Sequence, residues 1–97
     1  ATLRALGRAD DALAAFVRAT EVGPTYALAW QNLGIERHMR EEWRAAASAL
    51  ERAVRLDRTA VQAWVVLADA CARLGENAAA TAASDAATAL LSDSALR

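Results

Sequence analysis

Two tryptophans 34 positions apart, Trp30 and Trp64, each followed three residues later by a leucine, Leu33 and Leu67, constrain this chain more than any other feature. The same spacing relates Ala12, Ala46 and Ala80, and again Ala19, Ala53 and Ala87. Gly7 and Gly75 lie two such periods apart, and Glu41 occupies the slot between them. A fixed period of this length means one small unit copied along the chain. Such a unit cannot bury its apolar face alone, so it must stack on its neighbours.

Within the unit the apolar residues recur at helical spacing rather than at the alternation of a strand. Alanine, the best helix former, is abundant, so an all-α chain with no strand is predicted. A first helix over Leu28 to Arg40 places Trp30, Leu33, Gly34 and Arg37 on one face. A second helix over Glu42 to Leu56 turns Ala46, Leu50, Ala53 and Val54 inward and sets Glu51 four residues before Arg55, in reach of an exposed ion pair. Gly34, Ala46 and Ala53 are small because antiparallel helices joined by a short turn approach closely only where side chains are short. Gly7 and Gly75 suit the left-handed residue that ends a helix, and Gly23-Pro24 separates one unit from the next.

Trp30-Gln31-Asn32-Leu33-Gly34 followed by alanines and a large apolar residue, as in Ala46-x3-Leu50-x2-Ala53, resembles the tetratricopeptide repeat family over nearly the whole chain. Ala12-x3-Phe16, Ala19 and Pro24 match the second half of the same pattern. The chain departs from it at Arg37, Cys71 and Ser84, where aromatics are usual, and at Arg58 and Ser92, where proline is usual. The register divides the chain into a partial repeat 1–26, repeats 27–60 and 61–94, and the start of another at 95–97. The resemblance implies antiparallel helix pairs stacked as a right-handed α-solenoid with a concave groove lined by the first helix of each unit. It also implies a protein–protein interaction scaffold that holds a peptide or helix in that groove. The alternative is a structural spacer or self-association segment of a longer repeat protein.

Composition removes several other functions. The 97 residues leave room for one domain without a large enclosed active site. Eleven basic residues, all arginine, against 12 acidic ones give a net charge of −1, so no global field draws in nucleic acid or anionic lipid. Cys71 is the only cysteine and His38 the only histidine, too few for a metal site of the usual kind; Glu41 and Glu42 are neighbours that diverge on a helix. A Cys71–His38 nucleophilic pair lacks an evident orienting group. No catalytic, cofactor-binding or metal-binding residue is therefore assigned, and the chain is not expected to be an enzyme. The absence of an apolar run of about 18 residues argues against a membrane span, and the cysteine usage fits a reducing, cytoplasmic setting.

For the groove, the family register selects Leu28, Gln31, Asn32, Ile35, Gln62, Val65 and Asp69, with His38, Met39, Val66 and Arg73 beside them. In members of this family that clamp a terminal carboxylate, an asparagine in the slot of Asn32 is joined by basic residues in two slots of the next helix. Those slots read Gln62 and Val66, so the charge-assisted grip is missing and apolar and amide contacts remain. The partner is expected to be a protein or peptide. Leu13 and Phe16, covered only by Ala1 to Leu6, make self-association through the N-terminal end a further expectation.

Overall fold

The computed structural model describes residues 2–96 of the chain, with side chains described over 11–92. Five helices follow one another: α1 Thr2–Val22, α2 Ala27–Met39, α3 Trp43–Leu56, α4 Val61–Arg73 and α5 Asn77–Leu96. No strand occurs among the described residues, and the all-α expectation holds. The helices pack as neighbours, α1 on α2, α2 on α3, α3 on α4 and α4 on α5, with α2 also touching α4.

The core is built of small residues around one leucine. Ala46, Leu50, Ala53 and Val54 of α3 meet Ala63, Leu67, Ala70 and Cys71 of α4, with Ala83 of α5 closing the cluster. Leu50 is 0% exposed. Its side chain lies over Gly34, where a Cβ would stand 2.5 Å from Leu50 Cγ and 2.7 Å from Cδ2. The glycine is therefore the space into which the leucine packs. Cys71 fills the slot where an aromatic is usual and behaves as a small buried hydrophobe; burial pushes its thiol pKa up.

Both tryptophans of the repeat are half-buried against this core, and each also ties down a turn. Trp30 Nε1 donates to the carbonyl of Pro24 at 2.8 Å, and Trp64 Nε1 donates to the carbonyl of Arg58 at 2.9 Å. The two copies of the unit thus share a hydrogen bond as well as a ring volume. Proline is absent from the second turn, where Asp57 organises the backbone instead. Its Oδ1 accepts from Thr59 N at 3.0 Å and Thr59 Oγ1 at 2.6 Å.

The turns that close each helix pair also repeat. Glu41 N donates to His38 O and Glu42 N to Arg37 O; 34 residues later Gly75 N donates to Ala72 O and Glu76 N to Cys71 O. In both turns the residue in the middle is left-handed, Gly75 at φ 78° and Glu41 at φ 61°. Glycine reaches that region freely, whereas a residue with a Cβ is strained there. Glu41→Gly is expected to raise unfolding stability by about 1 kcal/mol, and Gly75→Ala, with no atom within 4 Å of the added Cβ, to lower it through the backbone alone. Urea unfolding of the two variants checks both signs.

Two sequence expectations are corrected. Gly7 does not end a helix: α1 runs through it from Thr2 to Val22. Continuing the helix satisfies the backbone groups on either side of it at about 1 kcal/mol for one interior glycine. Glu51 and Arg55 form no ion pair among the described residues. An exposed pair of this kind contributes only about 0.3–0.5 kcal/mol against the freedom of two long side chains. The boundaries of α2 and α3 fall within one residue of those expected.

Candidate functional site: the α2–α4 face

On α2, Leu28, Gln31, Asn32, Ile35 and Met39 fall within about 100° of helical arc, and on α4 Gln62, Val65 and Asp69 form the equivalent stripe. Packing of α2 against α4 sets the two stripes side by side. Gln31 Nε2 donates to Gln62 Oε1 at 3.4 Å, and His38 Nε2 donates to Asp69 Oδ2 at 2.5 Å. Both links join residues 31 apart, so they are rungs of one ladder between successive units. Leu28, Val65 and Met39 are 46%, 50% and 70% exposed on this face, and Asn32 and Ile35 are half-buried. Val66, beside them on α4, is partly buried against the core cluster.

One end of the face carries a polar-aromatic cluster. The His38 ring meets Trp43 edge-on at 5.1 Å between centroids, and the Arg73 guanidinium sits 5.0 Å from the Trp43 ring centre. Arg73 Nε also lies 3.6 Å from Asp69 Oδ2. The His38 hydrogen bond, supported by the charge of Arg73, holds the Asp69 carboxyl below its ordinary pKa against the opposing effect of desolvation. Arg44 pairs with Glu76 at 2.9 Å, linking the start of α3 to the turn before α5.

Spacing alone does not reveal these contacts. Asp69 supplies the orienting partner that His38 lacks in the sequence pattern, and Trp43, in the sequence only one of three tryptophans, belongs to this cluster. The register that places residues 38 and 69 on facing stripes is the signal that could have found the pair. Cys71, by contrast, is buried with a raised pKa, which disfavours its thiolate. Among the described residues no group of three or more His, Cys, Asp or Glu side chains converges as metal ligands, and no described helix is long and apolar enough to cross a membrane.

Two solved structures share this arrangement of helices. The second TPR of Spaghetti (RPAP3), bound to the HSP90 peptide SRMEEVD, superposes with a TM-score of 0.82 at 18% identity, covering 92% of this chain and 82% of that one. MamA MSR-1 C2 superposes with a TM-score of 0.80, also at 18% identity, and this chain spans about half of it, covering 92% of this chain and 51% of that one. No protein-family model matches the chain, and no curated protein does. The fold is that of a tetratricopeptide-like helical-repeat solenoid.

Proposed function

We propose that the chain is a protein-interaction scaffold whose α2–α4 face holds a peptide or a helix through Leu28, Gln31, Asn32, Ile35, Gln62, Val65 and Asp69. The observation that carries this reading is the pair of cross-helix links, Gln31 to Gln62 and His38 to Asp69, which join two stripes into one surface and leave apolar side chains exposed between amides. Exposed apolar side chains interleaved with amides suit a partner read by shape and by backbone hydrogen bonds. The peptide held by the RPAP3 domain supports a peptide as the class of occupant, but its acidic tail suits this face poorly. Gln62 carries no charge and Val66 is apolar and partly buried against the core cluster, so neither supplies a cation to a terminal carboxylate.

The experiment is a random peptide library panned against the full chain, with the synthetic peptide SRMEEVD and a scrambled version as separate probes. Enriched peptides are expected to lose about tenfold or more in affinity on Val65→Glu or Leu28→Glu, with unchanged thermal melting because both positions are exposed. SRMEEVD is expected to bind no better than its scramble, because this face reads no terminal carboxylate. Enriched peptides that ignore both substitutions would place recognition elsewhere. Absence of any enrichment would leave the spacer reading in possession.

A further inference from the structure

A concavity of about 500 Å³ opens between α2 and α3. Trp30, Leu33 and Arg37 line it from α2, and by helical geometry they centre about 180° around that helix from the stripe of Leu28, Gln31 and Ile35. This cleft is therefore not a part of the α2–α4 face. On α3 its wall is made of short side chains, including Ser48 and Ala49, and ends in Arg52 and Arg55.

Charge in the cleft departs from the chain as a whole, whose net charge is −1. Arg37 is answered by Glu42 at 2.6 Å. Arg52 sits 5.1 Å from the ring centre of Trp30, and neither it nor Arg55 has a carboxylate within ion-pair distance among the described residues. Glu51 is the one carboxylate lining the cleft. Two exposed guanidiniums three residues apart on one helix face thus stand beside an aromatic and a leucine with their charge uncompensated. Guanidiniums in this arrangement match carboxylates in a planar, paired geometry that an ammonium cannot supply.

We propose that the α2–α3 cleft is a second docking site, taking an acidic segment of a partner protein whose carboxylates meet Arg52 and Arg55 while an apolar side chain rests against Trp30 and Leu33. The site is independent of the groove reading. It gives the scaffold two faces of opposite taste, one for apolar and amide-bearing peptide and one for acidic peptide.

The probe is a fluorescein-labelled EELEELEE peptide, its neutral counterpart QQLQQLQQ, and the full chain, read by anisotropy at two salt concentrations. EELEELEE is expected to bind and QQLQQLQQ not, with Kd rising about tenfold or more on Arg52→Ala or Arg55→Ala and further with salt. Arg58→Ala removes the same charge from the turn before α4 and is expected to leave Kd unchanged. Arg55→Ala decides the matter if Arg52→Ala disturbs Trp30, and circular dichroism confirms that each variant folds. Equal binding of the two peptides, no binding of either, or an equal loss on Arg58→Ala overturns the proposal. So does competition by a short thymidine oligonucleotide with the same arginine dependence, which would mark a general anion patch.

Discussion

Replacing Leu50 by alanine is expected to lower unfolding stability by about 3–4 kcal/mol, and Gly34→Ala by about 1–2 kcal/mol, yet the second change made on top of the first is expected to be stabilising. Leu50 is the largest fully buried side chain of the core, so truncation removes its transfer free energy and leaves a cavity. Gly34→Ala drives a methyl into Leu50 Cγ and Cδ2 at 2.5 and 2.7 Å, which the packed neighbours of a fully buried leucine cannot yield without moving. Part of that strain is offset by alanine's better helix propensity, about 1 kcal/mol over glycine. Once Leu50 is alanine, the clashing atoms are gone and the propensity gain remains, reduced by a tight 3.3 Å approach to the residue 50 nitrogen. A double-mutant cycle by chemical denaturation reads the coupling, expected at about 2 kcal/mol. Additive values would show that helix α2 shifts to make room, and that the glycine is not the receptor for the leucine.

Trp64→Ala is expected to cost about 2–3 kcal/mol, and Trp64→Phe about 1 kcal/mol. The first figure lies at the low end for a tryptophan because the ring is half-buried. The second isolates the indole hydrogen bond to Arg58 O, since phenylalanine keeps an aromatic ring against the core and loses the donor. The N-terminus of α4 has no side-chain cap, and this bond adds a side-chain tie between the helix and the preceding turn. Amide exchange in the first turn of α4 is therefore expected to quicken in Trp64→Phe while the centre of the helix keeps its protection. Trp30→Phe is expected to do the same at the start of α2 through the Pro24 carbonyl. A uniform loss of protection along α4 would instead mean that the indole acts through packing alone.

What is legible in the sequence follows from period and size. Trp30, Trp64 and the alanine series give the repeat length, and with it the helix pairs and the starts of α2 and α4, because those features are carried by residues that must recur. Gly34 declares itself small, and the structure supplies the reason in Leu50. Slots mislead where one residue type has two uses. Gly7 looks like a helix end because Gly75 is one, yet the left-handed geometry recurs at Glu41 and not at Gly7. The geometry belongs to the turns between α2 and α3 and between α4 and α5. Arg55 reads as the exposed partner of Glu51, whereas no ion pair joins them among the described residues and the neighbouring Arg52 lies over the ring of Trp30. Side-chain pairing across units, such as His38 with Asp69, depends on distances between helices that no periodicity encodes.

The order in which helices touch has a consequence for how the molecule comes apart. Among the described residues each helix meets only the next in the chain, apart from the contact of α2 with α4, and α1 rests on α2 alone. Contacts between near neighbours close short loops, so assembly is quick and runs outward from wherever it begins. Under tension applied at the two ends the same topology offers no clamp of distant strands to break. The chain is expected to yield in short steps, α1 first, and to lengthen as a soft spring whose unit of extension is the helix.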